Sequence, residues 1–195
     1  MKRLDFFELN KPTVGFTLVE LMVVVAIAAI LLTVAVPSFV ETSARAVIRS
    51  SVVDLAADLS FARSAAVTRS ESVSVCPSNE SITPRACNNG AWNQGWMVFY
   101  DLDEDGDLDT GEEVVRVASA FGAKVDVTLD NTVTFDSKGA KKTVSEFVFC
   151  SSRSSNATFT RSLVVNIGGL VRGSRDTDSN GIHNSGEGGS DLVCP

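Results

Sequence analysis

Two short acidic segments carry the plainest chemistry in the chain. Residues 101–112 read DLDEDGDLDTGE, with carboxylates at Asp101, Asp103, Asp105, Asp107, Asp109 and Glu112 around Gly106. Residues 176–187 read DTDSNGIHNSGE, with Asp176, Asp178, Asn180, Asn184 and Glu187 around Gly181. Both fit the calcium-loop pattern D-x-[DN]-x-[DN]-G-x5-E, in which oxygen donors at alternate positions converge on one hard cation. The central glycine permits the sharp turn, and the final glutamate can close such a site with both oxygens. The first segment equally reads as an acidic glycine turn joining a hairpin without metal. The second is poorer in carboxylates, since Asn180 and Asn184 replace them and His183 takes a usually apolar place. A third feature is a single carboxylate, Glu20, near the start of a long apolar run. A carboxylate inside a membrane costs on the order of 3 kcal/mol on insertion scales, so it calls for a partner.

The elements that position these groups follow from pattern. Phe16–Val36 is 21 residues with Glu20 as its one charge. As a helix it would span about 31 Å, against about 30 Å for a bilayer core. A cleaved secretory signal fits poorly, because its apolar core is roughly 7–15 residues and a small-residue site follows it. Here Pro37-Ser38-Phe39 follows, and the small residue placed for cleavage is Gly15, ahead of the run. A permanent anchor is the plain alternative. Beyond Pro37, Val40, Ala44, Val47, Val52, Leu55, Leu59, Ala62 and Ala66 recur every three to five residues, while Glu41, Arg45, Arg49, Asp54, Arg63 and Arg69 fall largely outside that stripe. This predicts one helix from about Thr17 to Thr68, its second half packing on a domain. Pro37 can kink such a helix without ending it.

From Ser72 the pattern turns to short β-rich runs divided by polar, glycine-rich turns. The runs are 72–76, 95–100, 113–117, 124–129, 132–135, 146–150 and 162–167, and the tail 168–189 reads as loop. The first acidic segment thus lies between two strands, WMVFY and VVRV. The expected fold is α+β, a long N-terminal helix (membrane half plus amphipathic half) packed on an antiparallel β-sheet domain. The expected divisions are 1–15, 16–36, 37–70 and 71–195.

The formal net charge of the 195-residue chain is −7. Lys2, Arg3 and Lys11 against Asp5 and Glu8 leave the first fifteen residues slightly basic and the remainder near −8. That balance argues against broad, nonspecific nucleic-acid binding. The four cysteines, Cys76, Cys87, Cys150 and Cys194, all lie beyond the apolar run. An even count in an exported domain predicts disulfides, of which three connectivities are possible. We favour Cys76–Cys87, closing a short polar loop, and Cys150–Cys194, tying the C-terminus to the body. A zinc site is disfavoured because no C-x-x-C pair is present. Catalysis is disfavoured as well. His183 is the lone histidine, and no nucleophile elbow, phosphate-binding glycine loop or HExxH helix occurs.

Gly15-Phe16-Thr17-Leu18-Val19-Glu20, with the apolar run behind it, resembles the class III leader motif of type IV pilins and type II secretion pseudopilins. The resemblance implies cleavage between Gly15 and Phe16 by a prepilin peptidase and N-methylation of Phe16. It implies Glu20 as the fifth mature residue and Pro37 as the twenty-second. In a stacked filament Glu20 of one subunit can pair with the Phe16 amine of its neighbour, since each charge is costly in an apolar core unless paired. Ala62-Arg63-Ser64-Ala65-Ala66, the strand Val73–Cys76, Gly95-Trp96-x-Val98-Phe99, the acidic loop and Gly111-Glu112 resemble the FimT/FimU minor pilins, joined with the H-type pseudopilins, GspH. This second resemblance implies a minor pilin of a type IV pilus, or else an H-type pseudopilin of type II secretion. Such a chain would sit in the bacterial inner membrane as a single-pass protein with a periplasmic C-terminal domain before joining a filament. Expected partners are other pilins or pseudopilins, the prepilin peptidase and the inner-membrane assembly platform. Some FimT-like pilins bind DNA through a C-terminal Gly-Arg-x-Arg motif. The corresponding stretch here is Gly169-Leu170-Val171-Arg172, which lacks the first arginine. Arg161, Arg172 and Arg175 could still form a DNA-facing patch, but Asp176 and Asp178 lie beside it.

Overall fold

The apolar run and the amphipathic stretch after it form a single helix, α1 (Leu18–Arg69), in the computed structural model. The structure describes residues 15–79, 85–87, 92–121, 125–129, 132–152, 156–186 and 189–194, apart from the side chains of 34–38. Residues 1–14 and Glu187, which the sequence reading assigns to a leader and to the second acidic loop, lie outside the described residues. The backbone stays helical through position 37. The chain divides into two compact units, Met1–Val40 and Glu41–Pro195.

Within the second unit, α1 buries Ala44, Ile48, Ser51, Leu55, Asp58, Leu59, Ala62 and Ala66. Steps of three and four place these on one face. Of the expected stripe, Ala44, Leu55, Leu59, Ala62 and Ala66 are buried and Val52 is half-buried, while Val40 is exposed. Val47 is exposed, and Ile48 and Ser51 occupy the buried face instead. Alanine at positions 44, 62 and 66 lets the backbone come close to the sheets, while Leu55 and Leu59 each contribute roughly 1.5–3 kcal/mol of burial.

Eight strands come after α1 among the described residues: β1 (Val73–Pro77), β2 (Gly95–Tyr100), β3 (Val114–Ser119), β4 (Val125–Thr128), β5 (Val133–Phe135), β6 (Ser145–Ser151), β7 (Arg161–Val165) and β8 (Val171–Gly173). They form two four-stranded antiparallel sheets, ordered β3-β2-β1-β5 and β4-β6-β7-β8. The antiparallel β-sheet domain thus consists of two sheets, and β8 is a strand in what reads as tail. Three residues with Arg and Gly among them give too short a periodic signal to stand out.

Individual strands differ in burial. In β4, burial alternates residue by residue, as for a sheet with one solvated face. In β1 and β2 every residue is buried. One face of these two strands carries Val73, Val75, Trp96, Val98 and Tyr100 into the main core with α1. The opposite face carries Cys76, Met97 and Phe99 into a small second core, closed by Cys87, Val114 and Leu108. Leu108 belongs to the first acidic segment. A ladder of aromatics links the sheets: Trp96 to Phe121 at 4.7 Å and Phe121 to Phe149 at 5.8 Å between ring centroids. Asp58 of α1 accepts from Trp96 Nε1 at 2.8 Å and pairs with Arg116 at 2.7 Å, which fastens the helix to β2 and β3.

Candidate functional site

At the amino-terminal end, Thr17 Oγ1 accepts the Glu20 N–H at 3.2 Å, and the Thr17 carbonyl accepts from Leu21 at 3.2 Å. Thr17 therefore caps α1, and Thr17-x-x-Glu20 has the spacing of a capping box. Glu20 sits in the first helical turn, where unpaired backbone N–H groups favour a negative charge. The sequence reading missed this cap, although the T-x-x-E spacing states it. Phe16, Leu18, Val19, Leu21, Met22, Val23, Val24 and Val25 are exposed, as is Glu20. A helix apolar all round requires lipid or other helices around it. Among the described residues no helix is long and apolar enough to cross a membrane.

Both favoured cysteine pairs are bonded, Cys76 to Cys87 and Cys150 to Cys194. The first lies under the first acidic loop, where Cys87 Sγ is 3.6 Å from the Gly106 carbonyl oxygen. The second holds the end of the chain, where Thr160 Oγ1 approaches Cys194 Sγ at 3.1 Å and the Leu192 N–H donates to the His183 carbonyl at 2.8 Å.

The two acidic loops share a backbone. Position four is left-handed in both, Glu104 at φ 62° and Ser179 at φ 61°. Position six is a left-handed glycine in both, Gly106 at φ 85° and Gly181 at φ 89°. The first aspartate accepts from the glycine N–H in each, Gly106 to Asp101 at 3.0 Å and Gly181 to Asp176 at 2.9 Å. Position five accepts from position seven in each, Asp107 N to Asp105 at 2.8 Å and Ile182 N to Asn180 at 2.7 Å. The sequences agree further still, ending in Thr-Gly-Glu and Ser-Gly-Glu.

Their side chains differ. Asp101 is fully buried at the end of β2, and its Oδ2 accepts from Ser74 Oγ and from the Gly106 N–H. Its other oxygen, Oδ1, is buried with no hydrogen-bond partner among the described residues. Asp101, Asp103 and Asp105 each place a carboxylate oxygen within 4.8 Å of the others. Burial pushes the Asp101 carboxyl up from its ordinary value. The Asp109 carboxyl is also pushed up, chiefly by the charge of Asp105 and further by Asp103, Glu112 and Asp107. Glu112 does not join this group. It accepts from the Leu102 N–H at 2.7 Å and the Asp109 N–H at 2.9 Å, bracing the loop backbone. Glu104 turns aside to Ser72 and Lys142, which lower its carboxyl pKa.

In the second loop amides do the bracing. Asn184, buried, accepts from Thr177 N at 2.8 Å and donates to Asp191 at 3.1 Å. Asn180 donates to Asp178 and to Asp191, both at 3.0 Å. Asp191 was not among the expected residues, and being outside the motif it had no sequence signal. The Gly181 N–H holds the Asp176 carboxyl below its ordinary value. The His183 ring donates from Nδ1 to the Ser174 carbonyl at 2.8 Å, and burial lowers its pKa.

The three arginines have different surroundings. Arg161 donates to the Thr158 and Thr160 carbonyls, and the cations acting on it are Arg45 and Arg49 of α1. Arg172 is exposed on β8, and Arg175 is exposed beyond it.

The family described as "Type II transport protein GspH" matches residues 51–169, which stops before the second acidic loop. The prokaryotic N-terminal methylation motif matches residues 15–36. Two crystal structures of the type IV minor pilin FimU from Pseudomonas aeruginosa are similar to the chain. One is 20% identical with a TM-score of 0.49, covering 64% of this chain and 86% of that one. The other is 18% identical with a TM-score of 0.48, covering 65% and 92%. No curated protein matches the chain at comparable significance.

Proposed function

The chain belongs to the GspH family of type IV minor pilins and pseudopilins, and from that premise we propose that it is a minor pilin that helps prime or cap a type IV pilus. The observation that carries this reading is the methylation motif placed at the head of the helix whose far half fills the core of the sheet domain. Membership of this family implies a membrane-anchored, periplasmic subunit that assembles with other pilins. It is a structural role and needs no catalytic residues.

On this reading a prepilin peptidase cuts between Gly15 and Phe16, and the Phe16 amine is methylated. The exposed apolar residues of α1 are then covered first by lipid and later by neighbouring helices. Glu20 has two uses for its charge. It favours the helix start through the first-turn dipole, and in a filament it meets the Phe16 amine of the adjacent subunit. An unpaired charge in that apolar setting is costly, so the pair fixes the register of assembly. The family description favours one second reading, an H-type pseudopilin of a type II secretion filament. The same helix and the same Glu20 contact would serve there. Neither reading draws on Arg161, Arg172 and Arg175 as a DNA-binding surface.

The test is recovery from sheared filaments. Mass spectrometry of wild-type material should show a chain starting at methylated Phe16 together with other pilins. Glu20→Ala should remain membrane-inserted but be depleted from filaments by tenfold or more. Undiminished incorporation of Glu20→Ala would remove the assembly role. Co-purification with secretion pseudopilins in place of pilins would move the protein to the second reading.

A further inference from the structure

The first acidic loop is a strained arrangement as it stands. Asp101 is fully buried, yet one of its oxygens meets no donor among the described residues. A buried, unpartnered carboxylate oxygen costs on the order of kilocalories per mole, and burial of the charge costs more. Two further carboxylates, Asp103 and Asp105, bring oxygens within 4.8 Å of the Asp101 group. Lys142 pairs with Glu104 at 3.2 Å, and the other Glu104 oxygen accepts from Ser72 Oγ at 2.7 Å.

We propose that residues 101–112 form a calcium site, with Asp101, Asp103 and Asp105 as its protein ligands. All three donors are hard carboxylate oxygens and no sulfur or imidazole is among them, which selects calcium or magnesium over softer metals. Two calcium–oxygen bonds of about 2.4 Å span the separation found here, and calcium tolerates irregular, carboxylate-rich cages better than magnesium does. The unpartnered oxygen of Asp101 is the donor that the hydrogen bonds leave over. Glu112 is committed to the backbone of the loop, so its part is to hold the ligands in place.

The site is braced on three sides. Asp101 begins where β2 ends, and its N–H donates to the Ser72 carbonyl at 3.0 Å. The Gly106 carbonyl accepts from Thr132 Oγ1 at 3.1 Å. Leu108 packs into the small core over the Cys76–Cys87 bond. This inference stands apart from the filament reading, since a bound cation would order the loop whether the subunit serves a pilus or a secretion filament.

Calorimetric titration of the full chain in detergent, stripped with EDTA and dialysed, tests the proposal. Calcium chloride should give a saturable one-site heat with a Kd near or below the range of roughly 10⁻⁴–10⁻³ M typical of extracellular calcium modules. Magnesium chloride should bind at least tenfold more weakly. The double variant Asp103→Asn/Asp105→Asn should weaken calcium at least tenfold. Both positions are exposed, so its melting temperature in EDTA should match or exceed that of wild type. Asp178→Asn in the second loop should leave calcium binding unchanged. Absence of heat at millimolar calcium, undiminished binding by the double variant, loss of binding in Asp178→Asn, or equal affinity for magnesium would overturn it.

Discussion

The two acidic loops repeat one backbone with opposite electrostatic solutions. Each turns through left-handed residues at positions four and six, and each anchors its first aspartate to a glycine N–H. In residues 176–187 the asparagines at positions five and nine donate to Asp178 and Asp191, so negative charge is answered by amide hydrogens. In residues 101–112 the corresponding positions are aspartates, which can only accept. Asp101 Oδ1 and Asp176 Oδ1 are each buried without a hydrogen-bond partner among the described residues, but three carboxylates converge only in the first loop. A shared motif thus fixes the turn, while the Asp-to-Asn choice decides whether carboxylates gather beside its first aspartate or amides separate them.

The largest expected effect concerns what holds each loop down. Cys76–Cys87 lies under the first loop and spans 11 residues, whereas Cys150–Cys194 holds the tail beyond the second and spans 44. On the chain-entropy account, replacing both cysteines by serine should cost about 4 kcal/mol for the long bridge and about 3 kcal/mol for the short one. Chemical denaturation of the two double variants measures both. A larger loss for the short bridge would mean that the small core around Leu108 matters more than loop closure.

Much of this was legible in the sequence, and the limits have physical causes. The helix, seven of eight strands and both disulfides followed from periodicity and from cysteines placed to close loops. The division of the strands between two sheets could not be read, because alternation reports which face is buried and not which strands pair. The misplaced stripe at Val47 has a similar origin: Val47 and Ile48 are adjacent apolar residues, and packing alone decides which turns inward. Both acidic loops were legible as calcium-type turns, since aspartate and glycine spacing dictates the backbone. That Glu112 would brace backbone N–H groups, and that Asp191 would complete the second loop from outside the motif, depends on tertiary placement.

Glycine at position six offers a narrower contrast. Both Gly106 and Gly181 need a left-handed backbone, which costs other residues roughly 1–2 kcal/mol. A methyl group at Gly106 would meet Thr132 at 3.4 Å, while one at Gly181 would meet nothing within 4 Å. Gly181→Ala should therefore cost about 1 kcal/mol, and Gly106→Ala about 2 kcal/mol or slightly more. Equal losses in thermal unfolding would show that Thr132 moves aside freely and that the first loop is looser than its buried glycine implies.

The smallest effect is the most diagnostic, because its sign differs between the loops. Measured in EDTA, the first loop holds Asp101 above its ordinary value through burial and Asp109 through its neighbours' charge. A carboxylate raised in the folded state binds protons that the unfolded chain has already released. Its contribution to stability therefore rises as pH falls through the raised value toward the ordinary one near 4. The second loop behaves in the opposite sense. Asp176 is lowered by the Gly181 N–H, so its contribution is present above about pH 4 and fades below it. His183 is lowered by burial, so protonation favours the unfolded chain as pH falls below about 6.5. As pH falls toward 4, Asp101→Asn should remove a term that favours folding, and as pH falls below about 6.5, His183→Gln should remove one that opposes it. The two variants should therefore shift the pH dependence of the unfolding midpoint in opposite directions. A common direction would mean that the aspartates of the first loop find counterions in solution and that its crowded charge is not felt by the fold. Added calcium sharpens the contrast further. It should abolish the Asp101 contribution by keeping that carboxylate ionised, and leave the His183 contribution where it was.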